Sequence, residues 1–287
     1  MNVIIKEILA GIKSSSSNLL RELDKLESSQ WELPSKCHKW AIKDVASHMV
    51  AIDGFYHNSI MRSLRGDFEP ITGIPSPDEM EAQVLSDGIA ARAVQLSETT
   101  LKTKENTLNI LSDMESQINS TWHDVAPDQW DYPTYHPLGT ISLELMLGTK
   151  LIENALHMWD IFSIIDTEYS IPEDIALLIM KIWTQRDISE RIYTADFDQG
   201  FSVSIDLRTE SSTNFNMEVA GPTLTMSEYV PFKPSAPDVV IHAPFFSTFV
   251  LLLTARSNLH DELSSGSVKA QGSTEELLKF HNWFRGI

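Results

Sequence analysis

One stretch of the 287-residue sequence constrains the fold more than any other, the segment from about Ile141 to Ile165. Apolar residues cover almost its whole helical circumference, which predicts a helix buried in the middle of a domain. Glu153 and His157 are among the few ionisable residues that interrupt this surface. Because they are four residues apart, they lie on one face of the helix, one turn from each other. The apolar positions are Leu143, Leu145, Leu147, Leu151, Ile152, Leu156, Trp159 and Phe162.

A carboxylate in so apolar a helix is costly unless it has a partner. For Glu153 that partner is either His157 together with a cation, or a hydrogen bond from His157 that ties two helices together. The spacing alone slightly favours the hydrogen bond.

His48 shifts the preference from a hydrogen bond to a cation as the partner of Glu153. It lies between Val45 and Ile52 on the apolar stripe of a second helix, predicted from Ile42 to about Leu64, and so it too points inward. A lone histidine there is more often a core residue than a ligand. Two imidazoles and one carboxylate facing one core, however, match a divalent-metal site with open coordination positions. Such a set suits zinc, and also iron, nickel or manganese.

Two segments resemble a known family. Residues 40–48, WAIKDVASH, resemble the W-t-v-r-D-v-x-x-H segment of the DinB-like superfamily, and more closely of its mycothiol-dependent maleylpyruvate isomerase group. Residues 153–160, ENALHMWD, are similar to the second signature of that group, E-x-x-x-H-x-W-D. The resemblance implies that His48, Glu153 and His157 bind the metal in an N-terminal four-helix bundle.

The resemblance also implies an activity. Members of this group use a low-molecular-weight thiol such as mycothiol, activated by the metal, for cis–trans isomerisation of a small electrophilic acid. The chain has few arginines and many Ile, Ser and Lys residues, unlike the Ala- and Arg-rich chains typical of bacteria that make mycothiol. This composition leaves open a different thiol, or transfer of sulfur instead of isomerisation. Two alternatives remain open, a non-catalytic metal- and ligand-binding protein and a hydrolase that uses metal-bound hydroxide.

The rest of the chain predicts an α+β fold of two domains, at 1–168 and 169–287. Alternation in residues 201–207 predicts a half-buried strand, and residues 216–219, 238–242 and 267–270 also read as strands. Ser170-Ile171-Pro172-Glu173 predicts a capping box that opens a helix. The C-terminal part resembles a small α/β domain of the sterol-carrier-protein-2 type. Residues 124–139 predict an aromatic-rich loop that packs on its own bundle.

The composition restricts the classes of molecule that the protein is expected to bind. The chain has 40 Asp and Glu against 22 Lys and Arg, a formal charge of −18, which disfavours nucleic acid and anionic membranes and leaves a small-molecule substrate. A single cysteine, Cys37, and an N-terminus without a signal-peptide pattern predict a cytoplasmic protein. The sequence does not predict the oligomeric state.

Four further residues are weighed as supporting groups. Asp160, one turn beyond His157, is a candidate acceptor for the second imidazole N–H. Arg92 and Arg256 are candidates for holding a substrate carboxylate, although a solvated surface role is the stronger expectation for each. Cys37, close before Trp40, is expected to have a structural role.

Overall fold

The computed structural model describes residues 3–71, 82–137, 139–185, 201–221, 223–228 and 236–273, together with residues 277, 280, 283 and 284. The chain divides into two compact units, Met1–Ser170 and Ile171–Ile287. The predicted start of a helix at Ser76 and the predicted C-terminal helix from Ser273 fall mostly outside the described residues. None of the helices in the described ranges is long and apolar enough to cross a bilayer.

The first unit is a helical bundle. Four of its helices form a closed ring in which α1 contacts α5 and α6, and α3 contacts the same two; α4 packs on α3. Its elements are α1 (Val3–Lys25), α2 (Ser28–Trp31), α3 (Ile42–Ser63), α4 (Ala82–Thr99), α5 (Lys104–Asp124), β1 (Pro133–His136), β2 (Gly139–Ser142) and α6 (Leu143–Ile165).

Side-chain caps set where two of these helices begin. The Ser142 hydroxyl accepts the backbone N–H of Leu145 at 3.1 Å, so α6 begins at Leu143 and not at Ile141 as the sequence suggested. The Thr103 hydroxyl accepts the N–H of Asn106 at 3.2 Å and opens α5 in the same way. Caps of this kind satisfy backbone donors that have no partner in the first turn of a helix.

The segment between α5 and α6 begins as the irregular loop expected from its prolines, but residues 133–136 and 139–142 form a β-hairpin that was not predicted. Gly139 has a φ of 121°, a conformation that residues with a side chain rarely adopt, and it opens the second strand. The hairpin packs on its own bundle, because Thr134 donates to the Ser59 carbonyl at 3.2 Å and Ser63 donates to the Pro133 carbonyl at 2.7 Å.

The second unit is a five-stranded mixed sheet with helices. The strand order is β5-β4-β3-β6-β7, in which β3 and β6 are parallel and the other pairs antiparallel. The α+β class expected from the sequence is therefore confirmed. Its elements are α7 (Glu173–Trp183), β3 (Ser202–Arg208), β4 (Phe215–Ala220), β5 (Thr223–Glu228), β6 (Val239–His242), α8 (Phe246–Leu253), α9 (Leu259–Ser265) and β7 (Lys269–Gly272).

The predicted capping box at residues 170–173 is not how α7 begins. The N-cap is Pro172, which has no side-chain cap, and the Glu173 carboxylate instead accepts the backbone N–H of Phe246 at 2.8 Å. Glu173 thus caps α8 from a different element, where a negative charge is favourable at a helix N-terminus.

Candidate metal centre

The α6 helix places two of the predicted ligands in contact. Glu153 Oε2 lies 3.1 Å from His157 Nε2, as side chains one helical turn apart can. The imidazole is nearly buried, whereas the Glu153 side chain keeps 21% of its surface exposed. The carboxylate therefore forms the solvent-facing side of the pair.

The α3 helix brings His48 to this pair. The rings of His48 and His157 meet edge to face with their centroids 4.9 Å apart. One ligand atom from each of His48, Glu153 and His157 can be chosen so that all three lie within 4.8 Å of one another. Residues separated by more than a hundred positions in the sequence thus converge, and within the described part of the chain this group has three members.

The charge states of the two imidazoles differ. Burial, and then the neighbouring His157, lower the pKa of His48 to about 3, so this ring is neutral at physiological pH and offers a lone pair. Burial alone would lower the pKa of His157 as well. Hydrogen bonds to Asp160, Cys37 and Glu153 outweigh burial and raise that pKa well above its ordinary value. Without a metal, a proton is thus held between His157 and its carboxylate partners.

Asp160 lies on the far side of the His157 ring from Glu153. Its Oδ2 is 3.0 Å from Nδ1, and the carboxylate is almost completely buried. An Nδ1–H donated to Asp160 leaves Nε2, beside Glu153, as the atom that can hold a cation. The structure therefore places Asp160 where the sequence suggested, next to the second ring nitrogen.

A short loop before α3 carries Cys37 to the same place. The backbone N–H of Lys36 donates to the Asp160 carbonyl at 2.9 Å and attaches the loop to α6. Cys37 Sγ then lies 3.2 Å from Asp160 Oδ2 and 3.8 Å from His157 Nδ1. Cys37, His157 and Asp160 form a second group of possible ligands that does not include His48 or Glu153. The thiol faces the Nδ1 side of the ring, a position that no sequence pattern indicated.

Two other motif residues support His48 without being candidate ligands. The Trp40 ring packs 4.9 Å from the His48 ring and 6.3 Å from that of His157. Asp44 accepts the backbone N–H of Ala41 at 2.9 Å and so caps the first turn of α3. Trp40 covers the imidazoles, and Asp44 fixes the start of the helix that carries His48.

The two candidate arginines lie on other elements. Arg92 is exposed on α4, where its Nη1 donates to Gln95 at 2.9 Å, in keeping with a solvated surface role. Arg256 is half-buried and follows α8 in the second unit.

The sequence reading missed a buried network one turn along α6. Lys150 has no exposed surface and forms ion pairs with Asp53 and Glu115. A signal was available, because a lysine within a helix that is apolar nearly all round requires buried partners. Its partners come from two other helices, and nothing in the sequence identified them.

Comparison with known proteins identifies the family of the bundle. A family model described as the mycothiol maleylpyruvate isomerase N-terminal domain matches residues 13–162, just over half of the chain. A search of curated proteins finds no match.

Solved structures agree on the fold. The crystal structure of the mycothiol-dependent maleylpyruvate isomerase matches with a TM-score of 0.60 and 15% identity, over 94% of this chain and 96% of that one. A histidine-to-alanine mutant of that isomerase matches with the same values. Palmitated SCP2L2 from Aedes aegypti matches 34% of this chain and 92% of its own at 15% identity, with a TM-score of 0.26.

At 15% identity the likeness to the isomerase shows the fold alone, whereas the family model covers the bundle and both sequence signatures. The resemblance read from residues 40–48 and 153–160 is confirmed. The chain belongs to the mycothiol maleylpyruvate isomerase family.

Proposed function

We propose that this protein is a zinc-dependent enzyme that uses a low-molecular-weight thiol, mycothiol or a close relative, on a small electrophilic acid. Its reaction is cis–trans isomerisation or the related transfer of sulfur. The observation that carries the proposal is the convergence of His48, Glu153 and His157. Membership of the isomerase family supports both the thiol and the substrate class.

The chemistry of the three residues suits a zinc ion. Zinc holds nitrogen and oxygen ligands at about 2.1 Å, so two ligand atoms of one tetrahedral ion lie about 3.4 Å apart. The separation of 3.1 Å between Glu153 Oε2 and His157 Nε2 is close to that value. His48 is neutral, as a metal-binding imidazole must be. Three protein ligands leave a fourth position for a thiol or substrate, which distinguishes catalytic from structural zinc sites.

The chain's own residues prepare the site for a nucleophile. Bound zinc would supply Lewis acidity, which lowers the pKa of a thiol bound to it. Asp160 holds the Nδ1 side of His157 and so directs Nε2 toward the ion. Trp40 shields the two imidazoles from water. The partly exposed Glu153 marks the side from which small molecules reach the site.

The test is a thiol- and zinc-dependent turnover assay with maleylpyruvate. Wild-type protein loaded with zinc is assayed with mycothiol, glutathione and cysteine, and again after metal removal. We expect turnover that needs both zinc and one thiol, and its loss in His157→Ala. The matched control is His260→Ala, an exposed histidine in the second unit, which should leave turnover unchanged.

Two results would contradict the proposal. One is metal-free protein that converts maleylpyruvate at the wild-type rate. The other is zinc-loaded protein that is inactive with every thiol. Zinc that binds without turnover would favour the non-catalytic binding protein.

A further inference from the structure

A buried ionic network lies one turn of α6 away from the candidate metal centre. Lys150 Nζ forms an ion pair with the Asp53 carboxylate, lies 3.0 Å from Glu115 Oε1, and donates to Asn154 Oδ1 at 2.7 Å. The side chains of Lys150 and Asp53 have no exposed surface, and that of Glu115 has 4%. Charges this deep in a helical bundle require an explanation.

The network connects all four helices of the ring. Asp53 belongs to α3, Glu115 to α5, and Lys150 and Asn154 to α6. The Asn154 amide donates to the hydroxyls of two α1 serines, Ser15 and Ser16, at 3.0 Å each. The hydrogen bonds from Lys150 to Glu115 and from Asn154 to the two serines run between helices and are directional, so a shift of one helix along or around its axis would break them.

Stability does not explain why these charges are buried. Removing an ion pair from water costs about as much as its attraction returns, and an apolar replacement of similar volume is often as stable. Burial raises the pKa of Asp53 to about 7, with Glu115 adding to the rise and Lys150 opposing it. One lysine thus neutralises only one of two carboxylates, an arrangement that is costly for folding alone.

Position relative to the candidate ligands offers an explanation. Lys150 precedes Glu153 by three residues on α6, and Asp53 follows His48 by five residues on α3. The Asp53–Lys150 pair therefore joins the two helices that carry all three candidate ligands, close to where they meet. Apolar contacts tolerate small slides and rotations between helices, whereas directional polar contacts between them select one arrangement.

We infer that Asp53, Glu115, Lys150 and Asn154 are positioning residues that fix the register of α3 against α6 and so hold His48 within reach of Glu153 and His157. The inference rests on the proposed zinc site and concerns its geometry. None of the four touches the ion or the substrate. Their effect reaches the site through the helix backbones.

The test separates positioning from stability. An apolar variant carries Asp53→Ala, Glu115→Leu and Lys150→Met, which together keep the side-chain volume about constant. A control variant removes an exposed ion pair of the same helix region with Arg62→Met and Asp67→Ala. Full-length wild type and both variants are compared in thermal midpoint and in zinc affinity, measured by competition with a chelator.

We expect the apolar variant to unfold at or above the wild-type temperature. We also expect it to bind zinc at least about tenfold more weakly, which is the lower end of the loss in affinity that follows removal of residues supporting a metal ligand. The control should bind zinc as the wild type does. A folded apolar variant with wild-type zinc affinity would overturn the inference.

Two further outcomes are also decisive. If the apolar variant does not fold, Lys150→Met with Asp53→Asn replaces it, and wild-type zinc affinity in that variant would equally overturn the inference. If wild-type protein binds no zinc, the proposed function itself fails. A wild type that binds zinc beside a variant that binds it equally well refutes the positioning role alone.

Discussion

Replacing Asp160 with alanine tests how the protein prepares His157. The carboxylate lies 3.0 Å from Nδ1 and is 1% exposed, so water cannot readily take its place. The Cys37 sulfur remains 3.8 Å from Nδ1, and a thiol is a weak acceptor. Asp160→Ala therefore leaves the ring free to rotate or to present the wrong nitrogen.

The expected loss of zinc affinity follows from the role of Asp160 in orienting His157. Removing a group that orients a metal-bound histidine costs 10- to 100-fold in metal affinity, about 1.4 to 2.7 kcal/mol. Asp160→Asn keeps an oxygen of the same shape near Nδ1 and should cost less than about tenfold, because only the charge is lost. Asp166→Ala, an exposed aspartate immediately after α6, is the matched control and should cost nothing measurable.

The assay is competition between metal-free protein and a zinc chelator of known affinity, at fixed pH and ionic strength. Circular dichroism of each variant verifies that the bundle is folded. Wild-type zinc affinity in a folded Asp160→Ala would refute the claim that Asp160 selects the ligand nitrogen of His157.

Two further predictions follow from the same geometry. Cys37→Ser should change zinc affinity by less than about threefold, because the thiol faces Nδ1 and not the ligand nitrogen; a loss of tenfold or more would make Cys37 a ligand. The pKa of Asp53 is raised from 3.8 to about 7 in the folded protein. The protonated carboxyl therefore contributes its full stabilisation below about pH 4, and this contribution is lost as the pH rises through 7. Asparagine does not titrate, so the unfolding free energy of Asp53→Asn relative to that of the metal-free wild type should rise by up to about 4 kcal/mol between pH 4 and pH 8. Urea denaturation measures this difference, and a difference that does not change with pH would contradict the raised pKa.

The helices of the bundle were predictable because their signal is local. An apolar α6 interrupted by Glu153 and His157 identified both the central helix and the pair, and the position of His48 on the apolar stripe of α3 identified the third group. Spacing alone left a hydrogen bond and a cation as rival partners for Glu153. The family signature favours the cation.

The features that were missed depend on contacts between distant residues. Cys37 and His157 are 120 positions apart, and the hydrogen bond from Lys36 to the Asp160 carbonyl helps to bring them together. Asp53 and Glu115 give no local sign that they share Lys150. The hairpin of β1 and β2 was read as a loop because four-residue strands containing proline have too little alternation to recognise.

The most direct measurement of the central claim is anomalous diffraction at the zinc edge from crystals of the zinc-loaded protein. The account predicts one strong peak about 2.0 to 2.2 Å from a nitrogen of His48, an oxygen of Glu153 and Nε2 of His157, with a non-protein group in the fourth position. A peak on the other side of the ring, between Cys37, Asp160 and Nδ1 of His157, or no peak at either place, would contradict it.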